Sequence, residues 1–202
     1  MEIQETEVPG AFRVTPRLFT DARGGFFESF RHDELARATG HVFTPAQTNY
    51  SSSVRGTLRG MHGVTLPPGQ SKFVSCVRGA VMDVVVDVRL GSPTFGTHTV
   101  TELNATEGRA MYVAEGLAHG FVALTDDACV SYLCSTLYVP GTQVDIWPFD
   151  PELALPWADI LTGEPVMSAK DSNALTLSQN ADQGRLATYT ECLAHYAAKR
   201  RA

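Results

Sequence analysis

Between residues 57 and 137, short apolar runs closed by Gly, Pro, Asn or Asp recur about every ten residues. Such a rhythm leaves no room for helical crossovers, so it argues against a parallel α/β sheet and predicts an all-β sandwich or barrel. The strongest run is Ala80-Val-Met-Asp-Val-Val-Val-Asp-Val-Arg89. Its two-residue period places Met82, Val84, Val86 and Val88 on one face and Val81, Asp83, Val85 and Asp87 on the other. A carboxylate at position 83 then points to solvent or into a cavity.

Further strands are predicted over residues 12–18, 26–30, 57–64, 72–78, 97–103, 110–114, 118–124 and 128–137. Residues 43–53 contain Gln47-Thr48-Asn49-Tyr50-Ser51, a polar strand that lies at an edge or lines a wet cavity. Residues 32–39 form a short helix stopped by Gly40. Near the end, Leu186, Tyr189, Leu193 and Tyr196 fall at helical spacing, and Lys199-Arg200-Arg201 suits the negative end of that helix's dipole. Between them, Ile146-Trp147-Pro148 and Leu155-Pro156-Trp157 read as a proline-punctuated wrapping segment. No repeat or linker divides the 202 residues, so one domain is expected, with a core over residues 12–171 and a helical extension over 172–202.

The formal charge of −6 argues against a nucleic-acid binder, which needs an extended basic face. A nucleotide is still admissible, because two or three local arginines can hold its phosphates. Cys76, Cys129, Cys134 and Cys192 form no Cys-x-x-Cys pair and are expected to be reduced. The acidic start Met1-Glu2-Ile3-Gln4-Glu5 is unlike a signal peptide, and no apolar run approaches the roughly 18 residues that span a bilayer. A cytoplasmic chain away from membranes is expected.

The chemistry-bearing stretch is Arg59-Gly60-Met61-His62, followed ten residues later by Lys72 across a Pro67-Pro68-Gly69 turn. The turn is expected to fold Lys72 back, with Arg59, His62 and Lys72 on two adjacent strands. A base and a fixed cation so placed suit an anionic or carbonyl substrate. A metal is disfavoured. Two residues after His62 stands Val64 rather than a second histidine, no glutamate is near, and the Lys72 ammonium would repel a divalent cation. A lone strand histidine is as readily a hydrogen-bonded core residue. Here, however, Ala118-His119-Gly120-Phe121 adds a second histidine after the Glu115-Gly116 turn. Tyr132, with Val130 and Cys134 on its face, needs a polar partner if buried.

Several motifs then occur in one order: Asp21-x-Arg23-Gly-x-Phe26-x-Glu28, Gln47-x-Asn49-x-Ser51, Leu58-Arg59-Gly60-x-His62, Lys72, Gly79-x-Val81-x-Asp83-Val84-x-Val86-Asp87-x-Arg89, Ser92-Pro93-Thr94-x-Gly96 and Ala118-His119-Gly120-Phe121. Together they resemble the dTDP-4-dehydrorhamnose 3,5-epimerase family, over residues 17–171. The resemblance implies a cupin-type jelly roll, all-β with short peripheral helices, working as a homodimer without metal or other cofactor. It implies a dTDP-4-keto-6-deoxyhexose substrate, whose C4 ketone acidifies the hydrogens on C3 and C5. By the same resemblance His62 is the base, Asp171 its orienting carboxylate with Asp83 as runner-up, Lys72 the stabiliser of the enolate oxygen, and Tyr132 the opposite-face proton donor. Arg23, Glu28, Gln47, Asn49 and Arg59 match positions that hold the nucleotide and its diphosphate. Tyr138 matches an aromatic that stacks on thymine, and His119 and Lys170 match further substrate contacts.

Two departures from the family's common form stand out. Gly63-Val64 replaces an aromatic and a glutamine after the histidine, and Gln143 stands at a sugar-side position that is often acidic. Relatives from antibiotic deoxysugar pathways, which invert C3 or C5 singly, are similar to this chain in Pro67-Pro68-Gly69 and Lys72-Phe73-Val74. Two other readings stay open at this point: a sugar-nucleotide ketoisomerase or dehydratase, and a sugar-nucleotide-binding cupin without turnover.

Overall fold

A computed structural model describes residues 1–199. In chain order the first elements are β1 (Glu2–Glu5), β2 (Ala11–Thr15), β3 (Phe19–Asp21), β4 (Gly24–Phe26) and α1 (His32–Thr39). The strand-rich centre follows: β5 (Gln47–Ser53), β6 (Leu58–Val64), β7 (Lys72–Arg78), β8 (Ala80–Asp87) and β9 (His98–Asn104). It continues through β10 (Ala110–Val113), β11 (Leu117–Ala123), β12 (Ala128–Cys134) and β13 (Gln143–Asp145). Four short helices close the chain: α2 (Trp157–Ile160), α3 (Ala169–Ser172), α4 (Leu177–Asp182) and α5 (Tyr189–Lys199).

Two antiparallel sheets face each other, which is the jelly roll the sequence implied. One has the order β1-β2-β10-β7-β12-β5, the other β13-β6-β11-β8-β9, and β3 with β4 makes a separate hairpin. The alternation in β8 decides how the second sheet is covered. Val81 and Val85 point inward and meet Val74, Met111 and Val130 of the facing sheet. Val84, Val86 and Val88 point outward and are covered by Trp157, Leu153 and Leu177. A slip of one residue would exchange the two sets and turn Asp83 and Asp87 into the outer apolar cover, so the register of β8 is strongly fixed. Asp83 shares the inner face and is buried. The polar strand β5 is both things its composition allowed, a sheet edge and a wall of the cleft.

Four local expectations need correction. First, β6 and β7 are not adjacent: β6 pairs with β11 and β13, whereas β7 pairs with β10 and β12. The Pro67-Pro68-Gly69 segment carries the chain from one sheet to the other rather than closing a hairpin. Second, the first strands are shifted. β2 stops before Pro16, which has no N–H for a ladder, and residues 27–30 lie outside β4, which pairs Phe26 with Phe19. Third, the wrapping segment begins with an unexpected strand, β13, against β6.

Fourth, the last helix begins at Tyr189, because Thr188 Oγ accepts from Glu191 N (3.2 Å) while Glu191 accepts from Thr188 N (2.8 Å). Leu186 therefore precedes it, and Leu193 is 47% exposed; the buried helical side chains are Cys192 and Tyr196. Arg200 and Arg201 lie outside the described residues. Lys199 instead pairs with buried Glu115. Helix α1 has the expected bounds, with Gly40 in the left-handed conformation at its end.

Candidate active site

Cross-strand register assembles the site. On the five-stranded sheet His119 lies opposite His62, and His62 opposite Asp145, so three polar side chains form one row across β11, β6 and β13. On the facing sheet Lys72 lies opposite Cys134, and Tyr132 lies opposite both Val74 and Asn49. Residues directly opposite share a face. Lys72, Cys134, Tyr132, Gln47, Asn49 and Ser51 therefore turn toward the histidine row.

Strict alternation would send Arg59 and His62, three residues apart, to opposite faces. A register irregularity in the pairing of β11 with β6 removes that conflict, and Arg59 takes a place opposite Phe121. Gly60 makes this possible. Its φ of 139° is open only to glycine, and a Cβ there would lie 2.6 Å from the Gly120 Cα. Arg59 then donates to Ser53 Oγ and to the Ser52 carbonyl, both at 3.0 Å.

The resulting cleft, about 270 Å³, is lined by Arg59, His62, Lys72, His119, Tyr132 and Tyr138. Gln47, Asn49, Ser51, Gln70 and Gln143 also line it. His62 Nε2 lies 2.8 Å from Asp171 Oδ1, across 109 residues of chain. Ser168 caps α3 by accepting from Asp171 N at 3.1 Å, which fixes that carboxylate. Burial pushes the Asp171 carboxyl upward, but the hydrogen bond and charge of His62 outweigh it and hold the group below its ordinary value. The carboxylate orients the ring, and with Nε2 so engaged, Nδ1 is the nitrogen left for a substrate.

Asp83 is a partner, but of the other histidine: His119 Nε2 lies 2.5 Å from Asp83 Oδ2, both groups buried. The His119 ring stands edge-on to Tyr132, centroids 6.1 Å apart. Tyr132 OH shares a hydrogen bond with Ser51 Oγ at 3.1 Å. Burial raises the Tyr132 phenol well above its usual value, so it stays protonated at neutral pH. On the same sheet Lys72 Nζ donates to the His62 carbonyl at 3.4 Å, and burial lowers its ammonium. His62 and the Tyr132 phenol thus face each other from opposite sheets, with the Lys72 ammonium beside them.

Not every expected site residue is in this cleft. Arg23 is paired with Asp21 at 2.5 Å on the β3–β4 hairpin with 91% of its side chain exposed, and Glu28 contacts Arg31 at 3.5 Å. Neither lines the cleft of its own chain. Lys170 does not line it either and pairs with Asp145 at 2.8 Å. Three contributors escaped the sequence reading of single residues. Ser51 was recoverable from its alternation with Gln47 and Asn49. Gln70 offered no signal, and Asp145 sits in a strand of three residues whose pairing nothing local announces. Among the described residues no cluster of three or more His, Cys, Asp or Glu side chains is arranged to hold a metal.

Comparison with known proteins agrees with this geometry. The chain is 45% identical to a dTDP-4-dehydrorhamnose 3-epimerase of Streptomyces niveus, over 96% of this chain and 92% of that one. It is 42% identical to a dTDP-4-dehydrorhamnose 3,5-epimerase of Mycolicibacterium smegmatis, over 100% and 98%. Among solved structures, the rmlC epimerase of Mycobacterium tuberculosis superposes with a TM-score of 0.95 at 40% identity, covering 98% of this chain and 100% of that one. Residues 5–179 match the profile described as dTDP-4-dehydrorhamnose 3,5-epimerase. With the jelly roll, the His62–Asp171 pair and the profile all in agreement, the chain belongs to the dTDP-4-dehydrorhamnose 3,5-epimerase family.

Proposed function

We propose that the chain is an isomerase that epimerises a dTDP-linked 4-keto-6-deoxyhexose beside its ketone, at C3, C5 or both, in deoxysugar biosynthesis. One observation carries the reading: His62, oriented by Asp171, faces protonated Tyr132 across a cleft in which Lys72 supplies a part-buried cation. His62 Nδ1 removes the proton from the carbon next to the ketone. The electron pair moves onto the carbonyl oxygen, and the Lys72 ammonium stabilises the enolate. Tyr132 OH then returns a proton to the opposite face of the same carbon, which inverts it. Solvent re-equilibrates the imidazolium and the phenolate. Arg59 holds the diphosphate and Tyr138 stacks on the thymine, with Gln47, Asn49, Gln143, His119 and Lys170 as further contacts.

The test is proton exchange. With dTDP-4-keto-6-deoxyglucose in deuterated water, NMR should show loss of the signal at each carbon the enzyme deprotonates. Exchange at both C3 and C5 assigns a double epimerase, and exchange at one assigns a single one. The relatives carry both outcomes at 45% and 42% identity, so this readout decides between them. Tyr132→Phe should keep exchange while losing inversion at one carbon. A carbonyl moved along the ring would instead identify a ketoisomerase. Binding without exchange at either carbon would leave only the non-catalytic reading.

The reading extends to the assembly. Arg23 and Glu28 can serve a diphosphate only if the β3–β4 hairpin reaches the cleft of a second copy, and its Phe19 and Phe26 are 50% and 67% exposed. A homodimer follows. Mixing His62→Ala with Arg23→Ala protein should restore part of the lost activity, because one kind of mixed site carries neither change. A monomer in sedimentation, or no restoration in a mixed dimer, would refute the exchange. We also assign the chain to the cytoplasm: its four cysteines are free thiols and no described helix is long and apolar enough to cross a membrane. Recovery from another compartment on fractionation would contradict this.

A further inference from the structure

His62 faces a second carboxylate. Asp145 Oδ1 lies 3.8 Å from His62 Nε2, on the neighbouring strand and in the same cross-strand row. Its position is fixed by backbone: β13 pairs with β6, and the Asp145 carbonyl accepts from buried Asn180 at 3.1 Å. The same Oδ1 holds the Lys170 ammonium at 2.8 Å. Lys170 precedes Asp171 on α3 and is more than half exposed, whereas the Asp145 side chain is only 20% exposed. One short helix thus sends a carboxylate to the base and an ammonium to the second carboxylate.

We propose that Asp145 is a positioning residue for the base: it sets a second negative charge against His62 and tethers Lys170 at the mouth of the cleft. The inference rests on the reading of His62 as the base. Removing a proton from carbon creates an imidazolium at His62, and two carboxylates within 4 Å favour that charge more than Asp171 alone. Lys170 works against this while it stays on Asp145. When a substrate oxygen draws Lys170 away, the Asp145 charge is uncovered and the base strengthens after the ligand has bound.

The other charged groups around His62 do not duplicate this role. From β11 comes His119, already committed to Asp83. From β7 comes Lys72, which reaches the His62 carbonyl rather than the ring. From β12 comes the Tyr132 phenol, bonded to Ser51, and from β6 itself Arg59, bonded to Ser52 and Ser53. Asp145 and Lys170 are therefore an opposed pair whose effects on His62 carry opposite signs.

The test reads His62 directly, by NMR titration of its ring protons in the free protein, so it does not depend on turnover. Asp145→Asn keeps the shape and removes the charge; the His62 midpoint should fall. Lys170→Met should raise it, and the double variant should titrate like Asp145→Asn. The acid limb of kcat/KM should move in the same directions. An Asp145→Asn protein that melts like wild type and titrates at the wild-type midpoint would overturn the proposal, as would equal-sign shifts in the two single variants. If His62 titrates as expected while no substrate proton exchanges, the coupling stands and the epimerase reading fails. The two failures are thus distinguishable.

Discussion

Replacing His62 with Ala should lower kcat by about 10²- to 10⁴-fold, the usual contribution of a positioned general base. The thermal midpoint should fall modestly, because the ring is not part of either apolar core but the buried Asp171 carboxylate loses its partner. Asp171→Asn is the sharper variant. The asparagine fills the same space on α3, but its amide cannot hold the ring in the tautomer that leaves Nδ1 free, and the imidazolium loses its nearest counter-charge. A fall in kcat of about 10²-fold or more is expected, with KM for the nucleotide sugar changed far less, since neither residue is expected to touch the diphosphate. Steady-state kinetics checks the split. A His62→Ala enzyme that still inverts its substrate at a tenth of the wild-type rate would remove His62 from the role of base. The acid side has a sign that follows from Asp171. Its carboxyl is held below the ordinary value by His62, so the stabilisation from the pair is complete above the unfolded value and lost as pH falls through the folded one.

How much of this was legible in the sequence depends on how local each feature is. The two-residue period of β8 and the Gly40 stop after α1 are written within a few residues, and both appear as expected. Sheet pairing is not local. The Pro67-Pro68-Gly69 turn looks the same whether it closes a hairpin or crosses between sheets, and only the partners of β6 and β7 decide. The crossing is what sets His62 and Lys72 on opposite walls. Asp171 lies 109 residues from His62 and could be named only through the family resemblance; spacing alone could not have joined them. Asp83 showed the limit of face arguments. The alternation placed it on the face of Val81 and Val85 and left solvent or cavity open; the structure buries it, and the histidine it meets there is His119. Arg59 is the converse case, since period two would have turned it away from His62 and a single irregularity at Gly60 brings it back. Leu193 fitted a helical spacing, but the face of α5 that packs inward runs through Cys192 and Tyr196 and leaves Leu193 outside it.

A second large effect is expected far from the cleft, at Asp87→Ala. Asp87 is fully buried at the end of β8 and accepts from Arg89 N, Nε and Nη2 at 3.0, 2.8 and 2.7 Å. Ser92 Oγ and Thr94 Oγ also donate to it, at 2.6 and 2.7 Å. Arg89 is itself buried; it donates to the Pro9 carbonyl at 2.8 Å and lies over the Tyr189 ring at 5.0 Å. One ion pair therefore joins β8 to the loop before β2 and to α5. Without Asp87 the guanidinium remains buried and unpaired, which costs about 3–5 kcal/mol. For a chain of this size that lowers the melting temperature by roughly 10 °C. Asp87→Ala with Arg89→Met should recover much of the loss, since an apolar pair leaves no stranded charge. The pH dependence follows. Burial pushes the Asp87 carboxyl upward, but the bonds from Arg89 and Ser92 outweigh it and the group is held below its ordinary value. The contribution is complete above the unfolded carboxylate value and disappears as pH falls through the folded one. Thermal melts from pH 7 downward should therefore converge for wild type and Asp87→Ala, since protonated Asp87 leaves Arg89 as stranded as the alanine does. An Asp87→Ala protein that melts within about 2 °C of wild type at pH 7 would show that the pair does not hold these segments together.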